Sequence, residues 1–158
     1  MSNTQSMATS FLGELMTATH NFGASPIRAA STADTFKAAL FLASATINAA
    51  TTAYSTTGEV TGTNYTAGGV TITNATAPTS TNSSATAGVG YWTPSASFVY
   101  TTVTLSTAFD CVLVYNSTQS NKAVSVHTFG SQTITAGTFT LTMPSNTTTT
   151  ALLRLATT

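Results

Sequence analysis

Phe98-Val99-Tyr100-Thr101-Thr102-Val103-Thr104-Leu105 is the stretch whose reading decides the fold, together with Cys111-Val112-Leu113-Val114-Tyr115 just downstream. Successive side chains of a strand point to opposite faces. The first stretch therefore sets Val99, Thr101, Val103 and Leu105 against Phe98, Tyr100, Thr102 and Thr104. The second is apolar on both faces, as a central strand of a sandwich would be. Working outward, Val70 and Ile72 alternate with Thr71 and Thr73, and Val124, Val126 and Thr128 alternate with Ser125 and His127. Phe139, Leu141 and Met143 alternate with Thr138, Thr140 and Thr142 until Pro144, which cannot donate to a ladder. A last strand is expected over Ala151 to Leu155. Short alternating runs separated by turn signals indicate an all-β chain, an antiparallel β-sandwich. Phe139, Leu141, Val124, Val126 and Leu113 are its expected core.

Two segments need more than alternation. Phe36 to Leu42 fits a helical stripe and a strand face equally, and length does not decide; the β-rich remainder favours a strand. Met7 to Thr19 places Phe11, Leu15 and Met16 on one helical face, with Ser6 as a cap. A short N-terminal helix or arm is thus expected over residues 1–30, and a sandwich domain over 31–158. Thr76 to Gly90 has no large apolar anchor before Val89 and reads as an exposed loop.

Charge is nearly absent. Four Lys and Arg face four Asp and Glu in 158 residues, for a formal net charge of zero. Ordinary soluble domains give about a quarter of their residues to these types. Hydroxyls take their place: threonine is the commonest residue. Such a coat does not repel copies of itself, whereas net charge holds like proteins apart. Without clustered Lys and Arg, neither nucleic acid nor an anionic membrane is an expected partner. Met1 to Ser10 lacks the basic start and apolar stretch of a secretory leader. The apolar-leaning run from Ala38 to Ala50 is shorter than the roughly 20 residues a bilayer-spanning helix needs. The single Cys111 cannot form an intrachain disulfide and lies in an apolar run, where a buried structural thiol is expected.

The residues that could carry chemistry are scattered. His20 and His127 have no Asp, Glu or Cys at metal-ligand spacing. Ser131 lacks the Gly-X-Ser-X-Gly elbow of a hydrolase nucleophile. Four dispersed acids give no signal for a catalytic carboxylate pair and read as solvated surface positions. Gly68-Gly69 and Gly88-Val89-Gly90 read as turns, because no helix start with a Lys follows them. No catalytic, cofactor or metal site is expected, and an enzyme is the least favoured class. Tyr91 and Trp92 have two readings, a core-edge cluster or an interface anchor. With Phe11 and Leu15 they form the candidate interface set.

Several segments together resemble a family of small auxiliary virion proteins of tailed bacteriophages. They are His20-Asn21-Phe22, Asp34-Thr35-Phe36-Lys37-Ala38-Ala39-Leu40-Phe41 and Gly58-Glu59-Val60-Thr61-Gly62-Thr63-Asn64-Tyr65-Thr66-Ala67-Gly68-Gly69-Val70. Leu113-Val114-Tyr115-Asn116 and a hairpin from Phe129-Gly130 to Phe139 follow. Glu59 to Gly69 is the most specific part. The resemblance implies a capsid decoration or cement protein located in the virion. Its partners would be the major capsid protein and copies of itself in a homo-oligomer such as a trimer, with no catalytic residues and no cofactor. The alternative is a receptor- or glycan-binding module of a tail or head fibre.

Overall fold

β-Branched and aromatic side chains at every second position suit a pleated, half-buried surface, and the computed structural model is built from strands accordingly. It describes residues 3–8, 11, 15, 19–22, 33–73, 75–81 and 88–156. The strands are β1 (Ser6–Met7), β2 (Phe36–Leu42), β3 (Val70–Thr71), β4 (Thr79–Ser80), β5 (Val89–Trp92), β6 (Phe98–Asn116), β7 (Lys122–Leu141) and β8 (Leu153–Ala156). They form two antiparallel sheets, ordered β1-β7-β6-β2-β3 and β4-β5-β8. The fold is all-β, of the sandwich class. The chain divides into two compact units, one comprising Met1–His20, Asp34–Ile72 and Phe98–Thr140, the other Asn21–Ala33, Thr73–Ser97 and Leu141–Thr158. The boundary expected at residue 30 lies outside the described residues.

In the first unit, β2 is the strand that the ambiguous heptapeptide was expected to form. It pairs with β6 from Phe36↔Asn116 to Leu42↔Phe109, and its Ala38, Ala39, Leu40 and Phe41 are all buried. A strand covered on both faces cannot alternate, which is why its sequence from Ala38 to Leu42 is uniformly apolar. Its other edge is closed piecemeal. Lys37 and Ala38 pair with β3, Val60 NH donates to Leu40 O, and Ile72 NH donates to Phe36 O. Cys111 to Tyr115 is the expected central strand and is buried throughout.

Five expectations are corrected. First, Val99 is 42% exposed while Phe98 and Tyr100 are buried, yet Val103 and Leu105 are buried as well. Thr102 has a positive φ of 52°, which breaks the two-residue period and transfers the inward face from even to odd positions, as a bulge does. Second, Ser6 and Met7 are not cap and helix start but strand β1, paired with Val126 and Ser125. Most of the helix expected beyond Met7 lies outside the described residues. Third, β4 and the start of β5 replace part of the loop expected over Thr76 to Gly90 and make Val89-Gly90 strand, not turn. Fourth, Phe139 and Leu141 are half-buried, unlike Leu113, Val124 and Val126, which are core. The last strand also starts at Leu153 instead of Ala151.

The β6–β7 ribbon is bent. Ten residues of extended strand span about 33 Å, whereas the rings of Phe129 and Phe139 lie 5.2 Å apart. Two phenylalanine side chains bridge only a fraction of that distance, so β7 bends sharply between them. Phe109 packs edge-on against both rings, at 5.9 Å and 5.1 Å. The hairpin expected from Phe129-Gly130 to Phe139 is not formed: β7 runs through it as one strand and bends, with the aromatic rings on the inside of the bend.

Candidate functional site

The densest polar constellation in the chain is built around Glu59. The loop from Thr61 to Gly69 leaves β2 without a continuous neighbour, and tyrosines fill the gap. Leu40 NH donates to the Tyr65 hydroxyl at 3.0 Å, and Tyr65 donates in turn to Glu59 Oε1 at 2.8 Å. Gly68 NH donates to the same oxygen at 2.7 Å. Tyr54 donates to Oε2 at 2.6 Å. Around this centre Tyr115 donates to Gly68 O and Tyr100 to Ala38 O. The Tyr54 and Tyr115 rings stack at 4.5 Å, and Tyr65 stacks on Tyr100 at 6.0 Å.

The electrostatics assign these hydroxyls a structural task. Burial, reinforced by the Glu59 carboxylate, pushes Tyr115 up to about 12. The same causes raise Tyr54, Tyr65 and Tyr100 well above the ordinary phenol value. All four remain protonated donors at neutral pH, unsuited to act as bases or nucleophiles. Glu59 is only 6% exposed and its two oxygens accept three hydrogen bonds, so it is a latch that holds the 54–69 segment on β2. The reading of the acids as solvated surface groups is thus overturned for Glu59. It is overturned for Asp34 too, which is 7% exposed.

Asp34 belongs to a second buried group. Asn116 Nδ2 lies 2.8 Å from Asp34 Oδ2 and 3.0 Å from His20 Nδ1. Gln119 Nε2 donates to the other Asp34 oxygen, while Asn116 Oδ1 accepts the Thr118 and Gln119 amides. His20 lies between the rings of Phe11 and Phe36. The cluster ties the start of β2 to the β6–β7 turn. Asp110 accepts from Asn3, whose amide also donates to Leu42 O, so the N-terminal strap is held down through an acid as well. Among the described residues, no group of three His, Cys, Asp or Glu is placed to hold a metal ion.

Two of the candidate interface residues are enclosed, each within its own unit. Trp92 is 3% exposed, packs edge-on against Phe22 at 4.8 Å and donates from Nε1 to Thr76 O. It is a core residue of the second unit. Phe11 is likewise buried, against His20. Both are withdrawn as anchors, because a ring already enclosed offers no area to a partner. Leu15 and Tyr91 are half-buried. Tyr91 points away from the Trp92 side of β5, in register with Thr79 on β4 and Arg154 on β8.

Cys111 is buried as expected, and burial lifts its thiol to about 12, leaving it inert. His127 does not stand on an open outer face. It is half-buried beside Ser125, with Nε2 and Oγ 2.9 Å apart, and burial lowers its pKa to about 4. The unfolded chain takes up this proton near 6.5 and the folded chain near 4. The His127 contribution to stability is therefore intact above about pH 6.5 and is lost as pH falls towards 4, by about 3 kcal/mol in full. His127→Gln should flatten the acid limb of a urea-unfolding series between those values; an unchanged limb would refute the assignment.

A groove of about 470 Å³ in the first unit is lined by Phe41, Ile47 and Leu113 with the hydroxyl residues Ser44, Thr46, Thr51, Ser55 and Thr57. Its aromatic floor, Phe41, is buried, so the lining offers no exposed ring on which a sugar could stack. No known protein family, curated protein or solved structure matches the chain.

Proposed function

We propose that this protein is a structural component of a virus particle, a decoration or cement protein that coats the shell in many copies and performs no chemistry of its own. One observation carries the reading: charge is scarce in the chain, two of its four acids are drawn inside the fold, and hydroxyl residues fill many of the exposed positions. Glu59 and Asp34 are buried in hydrogen-bond networks, and Asp110 is held by Asn3. A coat that binds in many copies needs a surface tolerant of its own neighbours, and a neutral hydroxyl surface is tolerant in that way. The likeness of Glu59 to Gly69 to the virion family supports the same reading, since the latch it forms is structural.

A protein that binds only the assembled shell stabilises it by mass action, and many weak contacts sum through avidity. Particles lacking the protein should therefore rupture at lower temperature and milder osmotic shock than complete ones, and adding purified protein should restore them. Depleted particles that are equally robust but fail to adsorb to cells would replace this reading with the receptor-binding one.

A further inference from the structure

Four of the five tyrosines of the chain gather around one buried carboxylate, Glu59. We infer that two of them, Tyr54 and Tyr115, form an oxidative modification site. A one-electron oxidant joins their rings there by a carbon–carbon bond, with Glu59 as the base that receives the Tyr54 proton. This is a change that the chain undergoes, not a reaction that it catalyses, and it stands apart from the shell-coat reading.

The geometry of the pair is specific. The two rings are 11° from parallel with centroids 4.5 Å apart, an offset stack that puts carbons of one ring against carbons of the other. They are also aligned head to head. Tyr115 donates to Gly68 O, and both hydroxyls converge on that glycine, 3.1 Å (Tyr115) and 3.9 Å (Tyr54) from where a Cβ on it would stand. The carbons ortho to each hydroxyl, which carry much of the unpaired spin of a phenoxyl radical, therefore lie at the same end of the stack. Tyr65 and Tyr100 make a wider and less parallel pair, at 6.0 Å and 20°. Access differs within the coupled pair: Tyr115 is 2% exposed, held in β6 opposite Lys37, whereas Tyr54 is half-exposed and open to a small oxidant.

A neutral phenol yields an electron readily only if its proton leaves with it, and the base must stand within hydrogen-bond reach. Glu59 Oε2 does so, 2.6 Å from the Tyr54 hydroxyl. The first equivalent of oxidant takes an electron from Tyr54 while its O–H proton moves to Glu59, leaving a neutral phenoxyl radical. The second takes an electron from Tyr115, whose phenolic proton is released to water. The two ortho carbons then form the new bond. The hydrogen that each ortho carbon carried moves to its own phenolic oxygen, which restores both aromatic rings, and Glu59 returns its proton to water. The chain has lost two electrons and two protons, two equivalents of oxidant are reduced, and a covalent bond ties the 54–69 segment to β6. Holding the two rings in contact converts an encounter between radicals into a step within one chain.

The test uses the purified full chain and ruthenium(III) tris(bipyridine), generated by light with persulfate, as the oxidant. The expected product is a single chain lighter by two hydrogen atoms, with dityrosine fluorescence and a peptide map that joins the Tyr54 and Tyr115 peptides. Tyr54→Phe keeps the stacked ring without its phenol and should abolish this product, whereas Tyr91→Phe should leave it unchanged. Glu59→Gln removes the base and should slow its formation by more than about tenfold. Circular dichroism checks that the variants keep their strands. In urea, where the stack is gone, the preference for this pair should disappear. Cross-links found only between chains, a map that joins Tyr65 to Tyr100, a product that survives Tyr54→Phe or the same preference in urea would each overturn the inference. A Glu59→Gln chain that couples at the wild-type rate overturns the assignment of Glu59 as base. None of these readouts involves a virus particle, so this inference and the shell-coat reading can fail separately.

Discussion

Glu59→Ala is expected to remove ~3–5 kcal/mol of folding stability, which for a domain of ordinary stability is a large share of the total. The substitution leaves the Tyr54 and Tyr65 hydroxyls and the Gly68 amide without their shared acceptor. Each buried donor so orphaned costs about 1–3 kcal/mol, and bonds to a charged group stand at the upper end. The sum is less than three full penalties because Tyr54 is half-exposed and water can reach it. Glu59→Gln keeps one carbonyl oxygen for Tyr65 and Gly68 and should lose less than half as much. Urea midpoints at constant m-value measure both. If Glu59→Ala cost less than about 1 kcal/mol, the carboxylate would be an occupant of the site and not its latch.

What the sequence disclosed and what it hid divide along the range of the interactions. The Cys111 to Tyr115 strand was legible because an uninterrupted apolar run is buried on both faces, whereas β2, which fits a helical stripe equally, was read as strand only from the β-rich sequence around it. Cys111 was legible for the same reason. The switch of faces at Thr102 was not, because a threonine with positive φ has no local cause. It is held by Asn64, whose amide donates to Thr102 O across 38 positions of sequence. Glu59 was misread because an acid in isolation belongs in water. Only the folded loop brings two tyrosine hydroxyls and a glycine amide onto it. A signal was nonetheless present: Tyr54, Tyr65, Gly68 and Gly69 crowd around one acid in a chain with four.

The candidate interface failed for a related reason. Trp92 and Phe11 were chosen for their size, and size equally qualifies a ring for the core. Phe22 and His20 claim them there. The surface that remains distinctive is marked by absence of charge over long stretches, which no single residue announces.

Gly69→Ala should be at least as damaging as loss of the latch, by ~3 kcal/mol or more, because nothing near it can move aside. Gly69 has φ of 70°, a conformation that costs a residue with a Cβ roughly 1–2 kcal/mol. The added carbon would also overlap Ala38 O and lie 2.7 Å from Ala39 Cα. Both atoms are backbone of β2, which is fixed by its pairing with β6. Relief must come from the 61–69 loop lifting away, and that breaks the Ala38↔Val70 pairing and draws Gly68 NH off Glu59. Gly130→Ala is the control. A Cβ there meets only the far end of the Gln132 side chain, at 4.0 Å, and the entropy removed from the unfolded chain should leave stability unchanged or slightly raised. Equal effects from the two substitutions would mean that the loop closes on β2 less tightly than these distances require. A large effect confined to Gly69 would instead confirm that the 58–69 segment is conserved in shape by contact with β2, independently of any ligand.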